Sequence, residues 1–300
     1  VFVRPIAGLI FPGGSQMSVS AVRIADVDGI PVNLSAKAGA PLLILTRMAS
    51  KDMGVWDTIW DTLARHFSVA NFDLRNLPGA KKINESPGEG FRDLARTCAE
   101  VATGLGHPTF HIFGWNGGTQ IAMRCAVDFA DRVESCLLVD PFFELPDMRR
   151  VWKAVEHKNA LFENPDRSLY AYYWVMAGFS DGFLDSNFDV VDQMVADRLR
   201  GDAFIHVDAD RFIRWVKALR TNWISDEEFG AIRARTLILA TELDRWSAGP
   251  SIAMAREVQS RIAESRLEVI RGVGGHFLIE YPGRFLTSVE PFLKQASKAP

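Results

Sequence analysis

Cysteine, histidine and tyrosine are scarce in this chain, at three, six and four in 300 residues. Cys98, Cys125 and Cys136 are odd in number, sit inside apolar patterns and lack metal-ligand spacing. That argues against a disulfide framework or a zinc site and favours buried thiols. A reducing, cytoplasmic setting is expected. No apolar run reaches the roughly 18 residues that span a bilayer, so no membrane partner is expected. No Lys/Arg block accompanies the net charge of −3, so no nucleic-acid partner is expected either. A phosphate-cradling P-loop and the G-x-G-x-x-G dinucleotide fingerprint are both missing, so no cofactor is expected and no metal. There is no internal repeat and no low-complexity segment. With 48% hydrophobic and 24% charged residues, the composition is that of an ordinary globular chain with enough apolar side chains for a large core.

What remains is alternation. "AVRIADV" and "IPVNLSA" flank Asp28-Gly29, a two-residue hairpin signal. "PLLILT" is a short continuous apolar run, the mark of a strand covered on both faces. "VWDTIWDTLARHF" places Val55, Ile59, Leu63 and Phe67 at helical spacing. Strand and helix signals then alternate through "SVANFDL", "GFRDLARTCAEVATGLG", "TFHIFGW", "GGTQIAMRCAVDFA" and "ESCLLVD". They resume with "RTLILAT", "SIAMAREVQSRIA", "RLEVIRG" and "PGRFLTSVEPFLKQ". Such alternation predicts an α/β fold with a mostly parallel sheet and helices on both faces.

Between them the pattern breaks. Residues 142–225 carry no clear strand signal but hold 15 of the chain's 32 aromatic residues. They read as a helical subdomain with its own small core, and also as a lid whose aromatics line an apolar pocket. The expected division is therefore a core of residues 18–141 and 226–300, with a helical insertion at 142–225. Residues 1–17 read as an N-terminal arm or an expression join before Met17, and are set aside.

The most informative stretch is "FHIFGWNGGTQIAMRCA", residues 110–126. A strand runs into Gly114-Trp115-Asn116-Gly117-Gly118 and turns directly into a helix. This resembles the nucleophile elbow G-x-S-x-G of the α/β-hydrolase superfamily. The resemblance covers nearly the whole chain from about residue 20, with a helical cap inserted after the sixth strand. It implies that Asp244, in "LILATELDRW", is the acid that orients the catalytic histidine, and that His276, in "VGGHFLIEYP", is that histidine. Asp140, at the end of "LLVD", is the alternative acid. Asp244 also has the plainer reading of a helix cap, and His276 that of a loop residue.

Two departures stand out. Asn116 occupies the nucleophile position, and its amide is no nucleophile. It keeps the strained turn, which Asn tolerates; or its amide hydrogen-bonds a ligand while His276 acts as base; or it is an engineered change from Ser or Asp. The second departure is Thr46-Arg47-Met48, where the family carries His-Gly. The oxyanion donors by position are the N–H groups of Met48 and Gly117. Arg47 binds a substrate carboxylate, fills the pocket or points outward; with Trp115 it is a candidate substrate-binding side chain. The resemblance implies an enzyme using an Asp–His pair on a small, largely apolar substrate, by activated water or by proton abstraction. The competing reading is a ligand-binding homologue that has lost the chemistry.

Overall fold

A computed structural model describes residues 22–47, 56–145, 153, 167–200, 215, 217–219, 223–245 and 251–296. Eight strands form one sheet: β1 (Arg23–Val27), β2 (Ile30–Ser35), β3 (Leu42–Arg47), β4 (Ser68–Phe72), β5 (Phe110–Trp115), β6 (Val133–Val139), β7 (Arg235–Thr241) and β8 (Ser265–Ile270). Their order is β1-β2-β4-β3-β5-β6-β7-β8. β1 and β2 form the antiparallel hairpin, with Val27 opposite Ile30. Both turn residues between them, Asp28 and Gly29, take positive φ, which is why Asp-Gly serves there. β2 meets β4 antiparallel, and every later pairing is parallel.

The pleat divides the core in two. On β3, Leu42 and Ile44 face one apolar cluster, and Leu43 and Leu45 face the other. The first cluster takes in α2 (Pro78–Lys82), α3 (Pro87–Gly104) and α4 (Gly118–Asp128). The second takes in α1 (Asp57–Ala64) and residues near the C-terminus. The continuous apolar run of "PLLILT" is thus a strand with helices on both sides. The three cysteines are free and buried, as expected from their apolar surroundings.

Between β6 and β7 the described residues form α5 (Arg167–Gly178), α6 (Asp181–Ser186) and α7 (Phe188–Arg200), and no strand. Ala171, Val175, Phe179, Phe183 and Val191 of this stretch join the second core cluster. α8 (Asp226–Gly230) also precedes β7, and α9 (Ser251–Arg261), α10 (Phe277–Glu280) and α11 (Pro282–Ala296) follow it. No helix of the described residues is long and apolar enough to cross a membrane. The N-terminal segment 1–17 lies outside the described residues, as do most of 146–166 and 201–222.

Two elbow glycines serve close packing. A β-carbon on Gly114 would stand 2.7 Å from the Gly118 carbonyl oxygen, and one on Gly118 would stand 2.2 Å from that of Thr46. Gly118→Ala should therefore destabilise by about 2 kcal/mol or more, within the usual range for overpacking. Gly182 in α6 has nothing within 4 Å of the same position. Gly182→Ala should be neutral or stabilise by roughly 0.5–1 kcal/mol. Chemical denaturation of both variants checks the contrast.

Candidate active site

The sheet carries β5, β6 and β7 side by side, and the candidate residues leave from their carboxyl ends or from the loop after β8. Asn116 follows β5 directly, with φ +50°. Its N–H donates to Val139 at the end of β6 (2.8 Å), and its carbonyl accepts from the Thr119 N–H and hydroxyl (2.9 and 2.5 Å). Thr46 ties the turn to β3: its hydroxyl lies 3.1 Å from the Phe113 carbonyl and 3.2 Å from that of Gly118.

The Asn116 side chain turns back on its own elbow. Gly117 N–H donates to Asn116 Oδ1 at 2.9 Å. The N–H expected to serve an oxyanion is therefore already engaged by an amide oxygen. Any ligand carbonyl seeking that donor must displace Oδ1. The other expected donor, Met48, lies outside the described residues. Arg47 is within them: its guanidinium lies over the Trp115 ring, 4.0 Å from the centroid, a cation–π contact. Trp115 is fully buried and meets Trp56 edge-on at 5.8 Å.

His276 is brought to the same place. Its ring lies 6.2 Å from the Trp115 ring and 4.9 Å from Phe179, both edge-to-face. Asp244, three residues past the end of β7, lies against the histidine loop. A β-carbon on Gly275 would stand 2.4 Å from Asp244 Oδ1. His276 is 3% exposed and Asp244 8%. Asn116, Asp244 and His276 thus share one end of the sheet, with Trp115 and Arg47 beside them. Tyr173 of α5 is also close: its hydroxyl pKa is raised by burial, then by the Asp244 charge.

Three residues of this region escaped sequence reasoning. Gly178 ends α5, and its carbonyl accepts the His276 N–H at 2.6 Å. A β-carbon there would stand 2.0 Å from His276 Nδ1, so no other residue fits without moving the imidazole. Ser180 and Glu280 lock the same loop. The buried Glu280 carboxylate accepts from the Ser180 N–H (3.1 Å), the Ser180 hydroxyl and the Gly274 N–H (3.0 Å). "HFLIE" held a faint signal, since a carboxylate four residues after a loop histidine falls back toward that loop on one helical turn.

Asp140, the alternative acid, is spent elsewhere. It accepts from the Thr241 N–H (2.7 Å), the Thr241 hydroxyl (3.0 Å) and the Ser251 hydroxyl (2.9 Å). It therefore joins the end of β6 to β7 and to the start of α9. Of the other histidines, His111 is a packing residue bonded to Ser135 at 2.8 Å, and His66 lies near Glu290 at the surface.

No family model matches the chain. It is 26% identical over 155 residues to a fluoroacetate dehalogenase from Burkholderia sp, covering 51% of this chain and 46% of that protein. It is 30% identical over 130 residues to the dihydrolipoyllysine-residue acetyltransferase component of an acetoin cleaving system from Cupriavidus necator, covering 43% and 34%. The matches span less than half the length of these curated relatives. Among solved structures, an enol-lactonase from Burkholderia xenovorans LB400 superposes with a TM-score of 0.69 at 19% identity, over 91% of this chain and 100% of that one. An α/β hydrolase from a Medee basin deep-sea metagenome library gives 0.71 at 15% identity, over 91% and 98%. The chain has the α/β-hydrolase fold.

Asp140 generates a pH prediction. Burial, then the Asp244 charge, pushes its pKa up to about 8 from 3.8, against the hydrogen bonds from Thr241 and Ser251. A carboxyl whose folded pKa is raised holds its proton in the native state after the unfolded chain has released it. Stability then falls as pH rises from 3.8 toward 8. Melting temperatures across that window should decline in the wild type and decline less in Asp140→Asn; equal slopes would show that Asp140 ionises normally.

Proposed function

We propose that this protein is a hydrolase-type enzyme in which Asp244 orients His276, and His276 works as a general base without a serine nucleophile. The observation that carries the reading is the burial of His276 and Asp244 as neighbours beside the elbow. Desolvating a carboxylate costs stability unless it is compensated, and an oriented imidazole is a reason to keep one there. His276 takes a proton from water or from the substrate, and Asp244 stabilises the imidazolium formed. No covalent acyl-enzyme forms at Asn116, whose amide nitrogen is delocalised. With the encoded asparagine in place, the amide instead holds a polar substrate atom through Nδ2–H.

The substrate is small and largely apolar, and lies between the elbow and residues 142–225, which act as a cap. Arg47 suits a carboxylate at one end of that substrate. The fluoroacetate dehalogenase is named for a small carboxylate, which supports this choice. A second reading has one observation in its favour: Asn116 Oδ1 occupies the Gly117 N–H, as in a protein that binds without reacting.

A panel of small esters, lactones and halogenated acids separates the two. Turnover should be found and should fall by about 10²-fold or more in His276→Ala. The rate should depend on a single ionisation of a base, and that dependence should be lost in His276→Ala. Serine-directed fluorophosphonates should not label the protein. A ligand that raises the melting temperature of wild type and His276→Ala alike, with no turnover in either, would establish the binding protein instead.

A further inference from the structure

Asn116-Gly117 is the one Asn-Gly pair in the sequence. We propose that it is a self-modification site, at which the elbow converts the encoded asparagine to aspartate and so installs a carboxylate at the reacting position. The proposal rests on the reading of the elbow as the reacting position and of His276 as the base.

The chemistry needs only water. The backbone nitrogen of the next residue attacks the side-chain amide carbon, forming an N–Cγ bond. The Cγ–Nδ2 bond breaks, and ammonia leaves with the proton lost by the backbone nitrogen. Water then opens the five-membered imide. Cleavage at Cγ–N returns the normal backbone and leaves an aspartate. Cleavage at the backbone carbonyl leaves isoaspartate. Glycine is the most permissive follower, because it has no side chain to hinder its nitrogen.

The fold turns the Asn116 side-chain carbonyl back onto the backbone nitrogen that attacks it. Gly117 N lies 2.9 Å from Asn116 Oδ1, and the carbon under attack is one bond, about 1.2 Å, from that oxygen. Trp115 and Gly117 are buried, while Asn116 is half-buried and open to water. The product also fits better than the reactant. The elbow already aims Gly117 N–H at the side-chain oxygen, and a hydrogen bond to a carboxylate is stronger than one to an amide. The residue stands just before Gly117, the N-cap of α4, and a helix N-terminus favours negative charge. Arg47, over Trp115, adds a cation nearby. A carboxylate oxygen, unlike an amide, attacks an electrophilic carbon directly.

The test is peptide mass spectrometry of the intact protein after incubation in mildly alkaline water enriched in oxygen-18, with digestion at low pH. The tryptic peptide 97–124 should gain the heavy oxygen and, in ordinary water, about one dalton. Peptides holding Asn71, Asn84 and Asn187 should not. Conversion should be faster in the folded protein than in urea, and absent in Asn116→Gln, whose longer side chain does not close the imide. A peptide that stays unconverted when folded, or converts faster when unfolded, overturns the proposal. His276-dependent turnover from protein whose peptide remains unconverted would leave the function above standing and refute only this inference. Conversion with no turnover before or after it would do the reverse.

Discussion

The site depends on backbone atoms meeting where a β-carbon would stand. Helix α4 begins against β3 and β5 only because Gly118 lets the Thr46 carbonyl come so close, and because Gly114 admits the first turn of the helix. The chain must therefore reverse within one residue, and that residue takes φ +50°. A non-glycine side chain in this region is strained, and its direction is fixed by the turn rather than by its own rotamer preference. Asparagine is among the residues that tolerate the conformation best. The shape of the turn is thus set by the glycines on either side of Asn116.

Much of this was legible in the sequence because it is local. Strand, turn, glycines and helix occupy residues 110–128, and each has a periodicity or a conformational requirement that can be read from neighbours. Asp244 and His276 were legible only through resemblance: nothing within a few residues of either says that the other is near. Gly178, Ser180 and Glu280 were hidden for the same reason in stronger form. Glu280 meets Ser180 across 100 positions. A glycine at the end of α5 reads as an ordinary helix stop, and only the imidazole against it shows why a side chain is excluded.

The buried carboxylates divide the labour. Asp140 spends its lone pairs on Thr241 and Ser251, and Glu280 spends its own on Ser180 and Gly274. Both hold loops in place through hydrogen bonds that give each buried carboxyl its polar partners. Asp244 sits between these fixed points. β7 and its turn are anchored through Asp140, and the loop before His276 is anchored through Glu280. Asp244 and the His276 loop thus lie between two hydrogen-bonded anchors.

The described part of the stretch between β6 and β7 also packs on the His276 loop. Its α5 terminus accepts the His276 N–H, places Gly178 on the imidazole and sets Phe179 edge-on to the ring. Ser180 follows, bonded to Glu280 on α10. Any outward movement of residues 178–180 must break these bonds, and His276 would lose its packing in the same step. Residues 178–180 and the His276 loop are therefore held as one unit.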